Sequence, residues 1–336
     1  MKKLILLELC LLFLATTFQG DRLTGWVQQT LPNNAPIVDL QFLDTLTGFV
    51  TSRKNASDSS FIFKTTDGGN NWNTVYQNNV FLSSIHFVDK NTGYSVGATN
   101  WALVLKTTNS GDNWYAQPGF TAGQLNDVVF VNKDTGWGCS THSIYGGLWR
   151  TTDGGLSWQQ EMNAGNKPQR IFFVNNTTGW VIGNSGYKLH KTTDCGMNWT
   201  TIFTFIDIAS DVFFTSPDSG WVVKSIWPDN KSVVKSTNGG YNWDSVNIPV
   251  ISYNSRLYFV DNNKGWIGSE TNKIYVTKDG YNWGYQLAPI THNFSIWFTD
   301  SLHGWAGYGG LVHTSDGGGP IVSVNQIGTE VPEEYT

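Results

Sequence analysis

Seven polar side chains fall in register along this chain, each three residues ahead of a phenylalanine: Asp39, Ser84, Asp127, Arg170, Asp211, Arg256 and Ser295. Between each of them and its phenylalanine, two residues ahead, stands an aliphatic residue, from Leu40 to Ile296. Neighbouring side chains of an extended strand face opposite ways, so the polar and aliphatic sets occupy opposite faces. The polar set then forms a ring of mixed charge at one mouth of whatever the strands enclose. Two arginines there suit bidentate recognition of a carboxylate, a phosphate or a sugar. The alternating signs equally suit an internal salt-bridge ring with Asp211 between Arg170 and Arg256, because buried charges need partners. Asp39, Asp127 and Asp211 also offer the carboxylate pair of a glycosidase, but no residue pattern singles out which two.

A second set lies on loops further along each repeat: Trp101, His142, Tyr145, Tyr187, Trp227, Glu270 and Tyr308. Aromatics on loops over a channel mouth suit stacking on sugar rings or docking a peptide. The alternative is that they fold back on their own loops.

Other chemistry finds little support. The chain has five arginines, Arg22, Arg53, Arg150, Arg170 and Arg256, and outside its two ends only Glu161 and Glu270 as glutamates. A sialidase-type site needs three arginines and a Tyr–Glu pair, and that set is doubtful here. Zinc-protease, P-loop and nucleophile-elbow signatures are missing. The acidic turns lack EF-hand spacing, so no metal or cofactor is expected. A net charge of −5 gives no footprint for nucleic acid. Cys139 and Cys195 fall in different repeats and are expected to be free or buried thiols.

The elements that must position these residues repeat about every 40 residues, the mark of a solenoid or a propeller. Trp72, Trp114, Trp158, Trp199, Trp243 and Trp283 each close a box such as TTDGGNNW (65–72). A seventh box starts at Thr314 but carries Ile321 where the tryptophan belongs. GWVQQTLP (25–32) supplies it, so Trp26 completes the last repeat and closes a ring, where an open solenoid would need caps. Each repeat reads as an apolar strand ending in phenylalanine, a turn, a Gly-aromatic strand, a variable loop, a third strand, the box and a polar fourth strand. The expectation is an all-β, seven-bladed propeller of four-stranded antiparallel blades. In the box, Asp67, Asp153 and Asp194 are expected to bond backbone two residues on, as Asx-type turns, and Asp316 holds the same structural place in the last box. The glycines accept positive φ, and the tryptophans bury aromatic surface between sheets. Box and Gly-aromatic positions account for twelve of the sixteen tryptophans, which are therefore structural.

This pattern resembles the Asp-box (bacterial neuraminidase repeat) propellers, and most of all the branch named for photosystem II assembly and stability factors. The resemblance covers residues 25–321. It implies a fold firmly and a function weakly, since the same box occurs in sialidases, xyloglucan-cleaving glycosidases and sortilin-type receptors. It also implies that the box lies away from the ligand face. The C-terminal stretch GGGPIVSVNQIGTEVPEEYT is similar to the linker ahead of a type IX secretion sorting domain.

Residues 1–20 read as a secretory signal peptide, with Lys2 and Lys3 before an apolar run too short to span a membrane. Residues 21–321 are then the propeller, and 322–336 a linker or the start of a sorting region. The resulting expectation is a monomeric, non-catalytic binding or scaffold protein, secreted, at the cell surface or in the periplasm of a bacterium. Its partner would be a protein or a glycan, with no nucleic acid and no transmembrane segment. A divergent glycoside hydrolase or carbohydrate-binding propeller is the alternative.

Overall fold

The computed structural model describes residues 25–54, 59–120, 122–183, 187–206, 208–224, 232–246, 248 and 255–323. The expected leader, Trp227 and residues 324–336 lie outside them. Seven four-stranded antiparallel sheets make up the fold, with one short 3-10 turn, Ala164–Asn166. The expected seven-bladed, all-β propeller is the architecture observed. The innermost strands are Ile37–Phe42, Phe81–Phe87, Asp127–Phe130, Pro168–Phe173, Ala209–Phe214, Leu257–Phe259 and Ser295–Phe298.

The last blade is stitched from both chain ends. Val27–Gln29 pairs antiparallel with Leu311–Thr314 as the outermost strand of that sheet. In each of the other blades the box tryptophan meets the inner phenylalanine of its own blade, edge-on in Trp72 on Phe42 and Trp283 on Phe259. In the last blade Trp26 meets Phe298 edge-on at 5.8 Å. Its indole N–H donates to Gln286 Oε1, and Gly25 N–H donates to Asp316. Ile321, in the box-tryptophan position by count, packs against the same core, and Val322 bridges to Tyr285.

Blades are joined by stacked rings. The aromatic after each invariantly placed glycine lies against the inner phenylalanine of the next blade, as Trp180 on Phe214 and Tyr94 on Phe130, both at 3.5 Å. Trp305 on Phe42 closes the circle. The glycine itself is required by that stack: at Gly48, Gly220, Gly265 and Gly304 an added Cβ would fall inside the ring of the blade's own phenylalanine. Gly304→Ala should therefore cost about 1–3 kcal/mol by overpacking. Gly119→Ala, with no atom within 4 Å of its Cβ, should stay within about 0.5 kcal/mol. Equal midpoints in urea for the two variants would refute this account of the glycine.

The box turns differ from the expected Asx geometry. Asp67, Asp153 and Asp194 accept the N–H four residues on, from Asn71, Ser157 and Asn198, rather than two. The threonine two places earlier takes over the nearer group, Thr65 Oγ1 accepting from Gly69 N–H. Two consecutive left-handed residues, such as Gly68 and Gly69 (φ of 73° and 93°) or Cys195 and Gly196 (φ of 60° and 69°), lengthen the turn enough to make this possible. In the shorter box at Asp279 the carboxylate does reach two and three residues on, and in the last box Asp316 reaches Gly318.

These bonds hold the box carboxylates below their usual range, down to about 2 at Asp194, chiefly through Asn198. With folded pKa values below the unfolded ones, the stability they add is full above pH ~4 and is lost as pH falls from about 4 to about 2. Asp194→Asn should flatten the pH dependence of the urea midpoint across that window. The box at Asn238 already holds an amide in this place, accepting from Asn242 N–H at 2.9 Å. An unchanged slope would exclude the box as a source of acid sensitivity.

Candidate functional site

The box turns and the turns after the inner strands share one face of the ring, joined by bonds such as Gly68 N–H to Leu46 O and Gly154 N–H to Asp134 O. The inner strands begin at the opposite face, where Ile37 N–H donates to Tyr308 O in a variable loop. The expected ligand face is therefore the one bearing the variable loops.

Along the inner strands the channel is built in layers. The aliphatic residues, Leu40 to Ile296, are buried in the blade cores, and the polar ring faces the channel, as strand alternation requires. The ring does not line a mouth, however. It sits at a waist between two cavities. Bulges at Ile37/Asp39, Leu82/Ser84, Pro168/Arg170 and Ala209/Asp211 turn an additional residue inward ahead of it. Those residues, Val38, Ser83, Gln169 and Ser210, line an outer cavity of about 470 Å³ together with Phe294, which precedes Ser295 without a bulge. Arg53, Arg170, Arg256 and Tyr308 complete its wall. Below the waist an inner cavity of about 330 Å³ is lined by Asp39, Ser84, Asp127, Asp211 and the next inward residue of each strand. Arg170, Arg256 and Ser295 line both.

The aspartates bind blades together. Asp39 Oδ2 accepts Ile85 N–H, Asp127 Oδ2 accepts Ile171 N–H and Asp211 Oδ2 accepts Leu257 N–H, each from the following blade. Ser84 Oγ lies 2.9 Å from Asp39 and 3.1 Å from Asp127, so one hydroxyl proton serves two carboxylates. Ser295 Oγ donates to Val38 O and links the last blade to the first.

The expected ion-pair order needs correction. Arg170 stands between Asp127 and Asp211, at 4.0 and 3.9 Å, whereas Arg256 has no ion pair within 4 Å among the described residues. Both Arg170 contacts are too long for hydrogen bonds, and its buried Nε has no partner. Burial raises the pKa of Asp39, opposed by Arg256, and that of Asp211, opposed by Arg256 and Arg170.

The loop set is only partly brought together. Tyr308 reaches the outer cavity beside Phe294. Trp101 and Tyr145 form an exposed edge-to-face pair at 5.2 Å. His142 folds back on its own loop, its Nδ1 accepting from the N–H groups of Ile144 and Tyr145. Tyr187 packs against the core of its blade, and Glu270 is half-buried and engaged by neighbours. Both cysteines are free, Cys139 buried. Among the described residues no group of three or more metal-ligating side chains occurs, and no helix is long and apolar enough to cross a membrane.

The model of the photosynthesis system II assembly factor YCF48 family matches residues 19–118. The chain resembles the photosystem II assembly factor-like propellers. A YCF48 structure with a bound D1 peptide is similar over 87% of this chain and 97% of its own, at 18% identity and a TM-score of 0.69. YCF48 from Cyanidioschyzon merolae is similar over 87% and 99%, at 16% identity and a TM-score of 0.67. The GH74 xyloglucanase of Xanthomonas campestris also matches, at 14% identity and a TM-score of 0.69, but this chain spans only 53% of it. At such identities the likeness is one of fold. A search of curated proteins found no match.

Proposed function

We propose that this chain is a non-catalytic binding propeller that takes an acidic or C-terminal segment of a protein partner at the outer cavity. The observation that carries this reading is the convergence of Arg53, Arg170 and Arg256, three of the five arginines in the chain, on one cavity. A guanidinium is a planar donor fork that matches a carboxylate. With Arg170 held between Asp127 and Asp211, Arg53 and Arg256 are the pair that would grip it, and Tyr308 and Phe294 add aromatic walls. That a YCF48 relative has been seen with a bound peptide supports a protein ligand over a glycan. The same reading takes residues 1–20 as a secretory leader, 21–321 as the binding domain and 322–336 as a linker, and sets the protein in the envelope or outside the cell.

The glycosidase alternative is disfavoured by what the aspartates already do. Asp39, Asp127 and Asp211 each spend an oxygen on the next blade's backbone, and Arg170 occupies the space between Asp127 and Asp211. The test is fluorescence anisotropy of labelled acidic peptides, each with a free or an amidated C-terminus, on the full chain. Arg53→Ala/Arg256→Ala should weaken binding at least tenfold, about 1.4 kcal/mol. Equal binding by the variant, or sugar release from glycosides that disappears on Asp127→Ala, would overturn the proposal.

A further inference from the structure

Two places beyond the charged ring, the inner strands turn a last residue into the channel. In four consecutive blades it is aromatic: Phe172, Phe213, Tyr258 and Trp297. Their centroids step around the wall at 4.8, 5.3 and 4.9 Å, each ring tilted 41–54° to the next. All four are only half-buried and line the inner cavity. The facing wall is made by Gln41, His86 and Val129, and its two polar members are held in place. Gln41 pairs with both the N–H and the C=O of Phe87, and His86 Nε2 lies 3.0 Å from Phe130 O.

We propose that this inner chamber is a second ligand site, adjoining the outer cavity through the shared Arg170, Arg256 and Ser295 and selective for a small organic cation, an ammonium or guanidinium group on an apolar body. Charge decides the sign. The ring above the arc holds three carboxylates, Asp39, Asp127 and Asp211, against two guanidiniums, Arg170 and Arg256, which leaves one negative charge. Arg170 is committed to Asp127 and Asp211. Burial keeps His86 neutral at pH 7, since it lowers that pKa. The surplus belongs to the ring as a whole, since Arg256 opposes both Asp39 and Asp211. Asp39 is the carboxylate in the blade that follows Trp297 and is tied to it through Ser295. Aromatic faces carry the negative end of a quadrupole and attract cations. An arc of four aromatic rings beneath a ring that carries one net negative charge favours a cation over its neutral isostere. The volume of about 330 Å³ lies at the small end of ligand pockets.

The experiment is titration calorimetry of the full chain with choline and with dimethylbutanol, in which carbon replaces the charged nitrogen. Butylammonium and butylguanidinium run alongside, to distinguish which cationic group is preferred. The expected result is choline binding at least tenfold tighter than its neutral isostere. Trp297→Leu and Asp39→Asn should each weaken it at least tenfold. Arg53→Ala, which touches only the outer cavity, should leave choline unchanged, and Trp297→Leu should leave acidic-peptide binding unchanged, so the two sites fail or stand independently. Equal affinity for choline and dimethylbutanol, or no binding of any cation, overturns the proposal. That contrast needs only the native chain, so it stands even where a variant does not fold.

Discussion

Trp26→Ala is expected to cost about 3–5 kcal/mol and to lower the melting temperature by on the order of 10 °C. The indole is buried, packs edge-on against Phe298 and donates to Gln286 Oε1. Gln286 also donates to Gly317 O and Gly319 O, so one side chain ties the N-terminal strand to the last box. Removing the indole leaves a cavity at the one interface where no chain connection holds the strands together. Deleting residues 21–32 goes further, because Leu311–Thr314 becomes an exposed sheet edge, a template for aggregation. The measurement is calorimetric melting of the native chain, Trp26→Ala and Trp101→Ala. Trp101 is 47% exposed and should be silent. If Trp26→Ala melts with the native chain, closure by the N-terminal strand contributes nothing and the argument fails.

Arg170→Ala is expected to destabilise the ring by about 3 kcal/mol at pH 7, at the low end for breaking a buried ion pair. The low end is appropriate because the contacts are 3.9 and 4.0 Å long, with Nε already unsatisfied. The loss should shrink on acidification. Burial raises the folded-state pKa of Asp211 above its unfolded value, so its ionisation costs stability. That cost is absent below the unfolded pKa near 4 and grows as pH rises through the folded one. Removing the guanidinium raises that pKa further and widens the window. Asp211→Asn in the Arg170→Ala background should recover most of the lost stability at pH 7. A double-mutant cycle from urea midpoints at pH 5 and pH 7 checks both statements. A penalty independent of pH would mean that Arg170 acts by packing alone.

Much of the site was legible without coordinates. The seven-fold register of Asp39 through Ser295 followed from spacing, and the strand period of two placed those residues in the channel. The same parity could have found the aromatic arc. Phe172, Phe213, Tyr258 and Trp297 stand two residues beyond the polar ring, on the same face, but were hidden beside the core phenylalanines that follow them. The loop residues were less legible. His142 closes its own turn while Tyr308 reaches the cavity, and nothing in their types separates them, because loop conformation depends on contacts from neighbouring blades.

The sequence by itself determined the blade count, the order of strands within each blade and the closure through Trp26, since each rests on local periodicity and on residues that only one backbone geometry accepts. Tertiary structure alone decided that the charged ring is a waist rather than a mouth. It also decided that Arg170 rather than Arg256 bridges the aspartates, and that the third arginine, Arg53, joins them at the outer cavity. The physical reason is that bulges shift side chains by a residue, and that the carboxylates' partners are backbone groups of the next blade, more than 40 residues away in the chain.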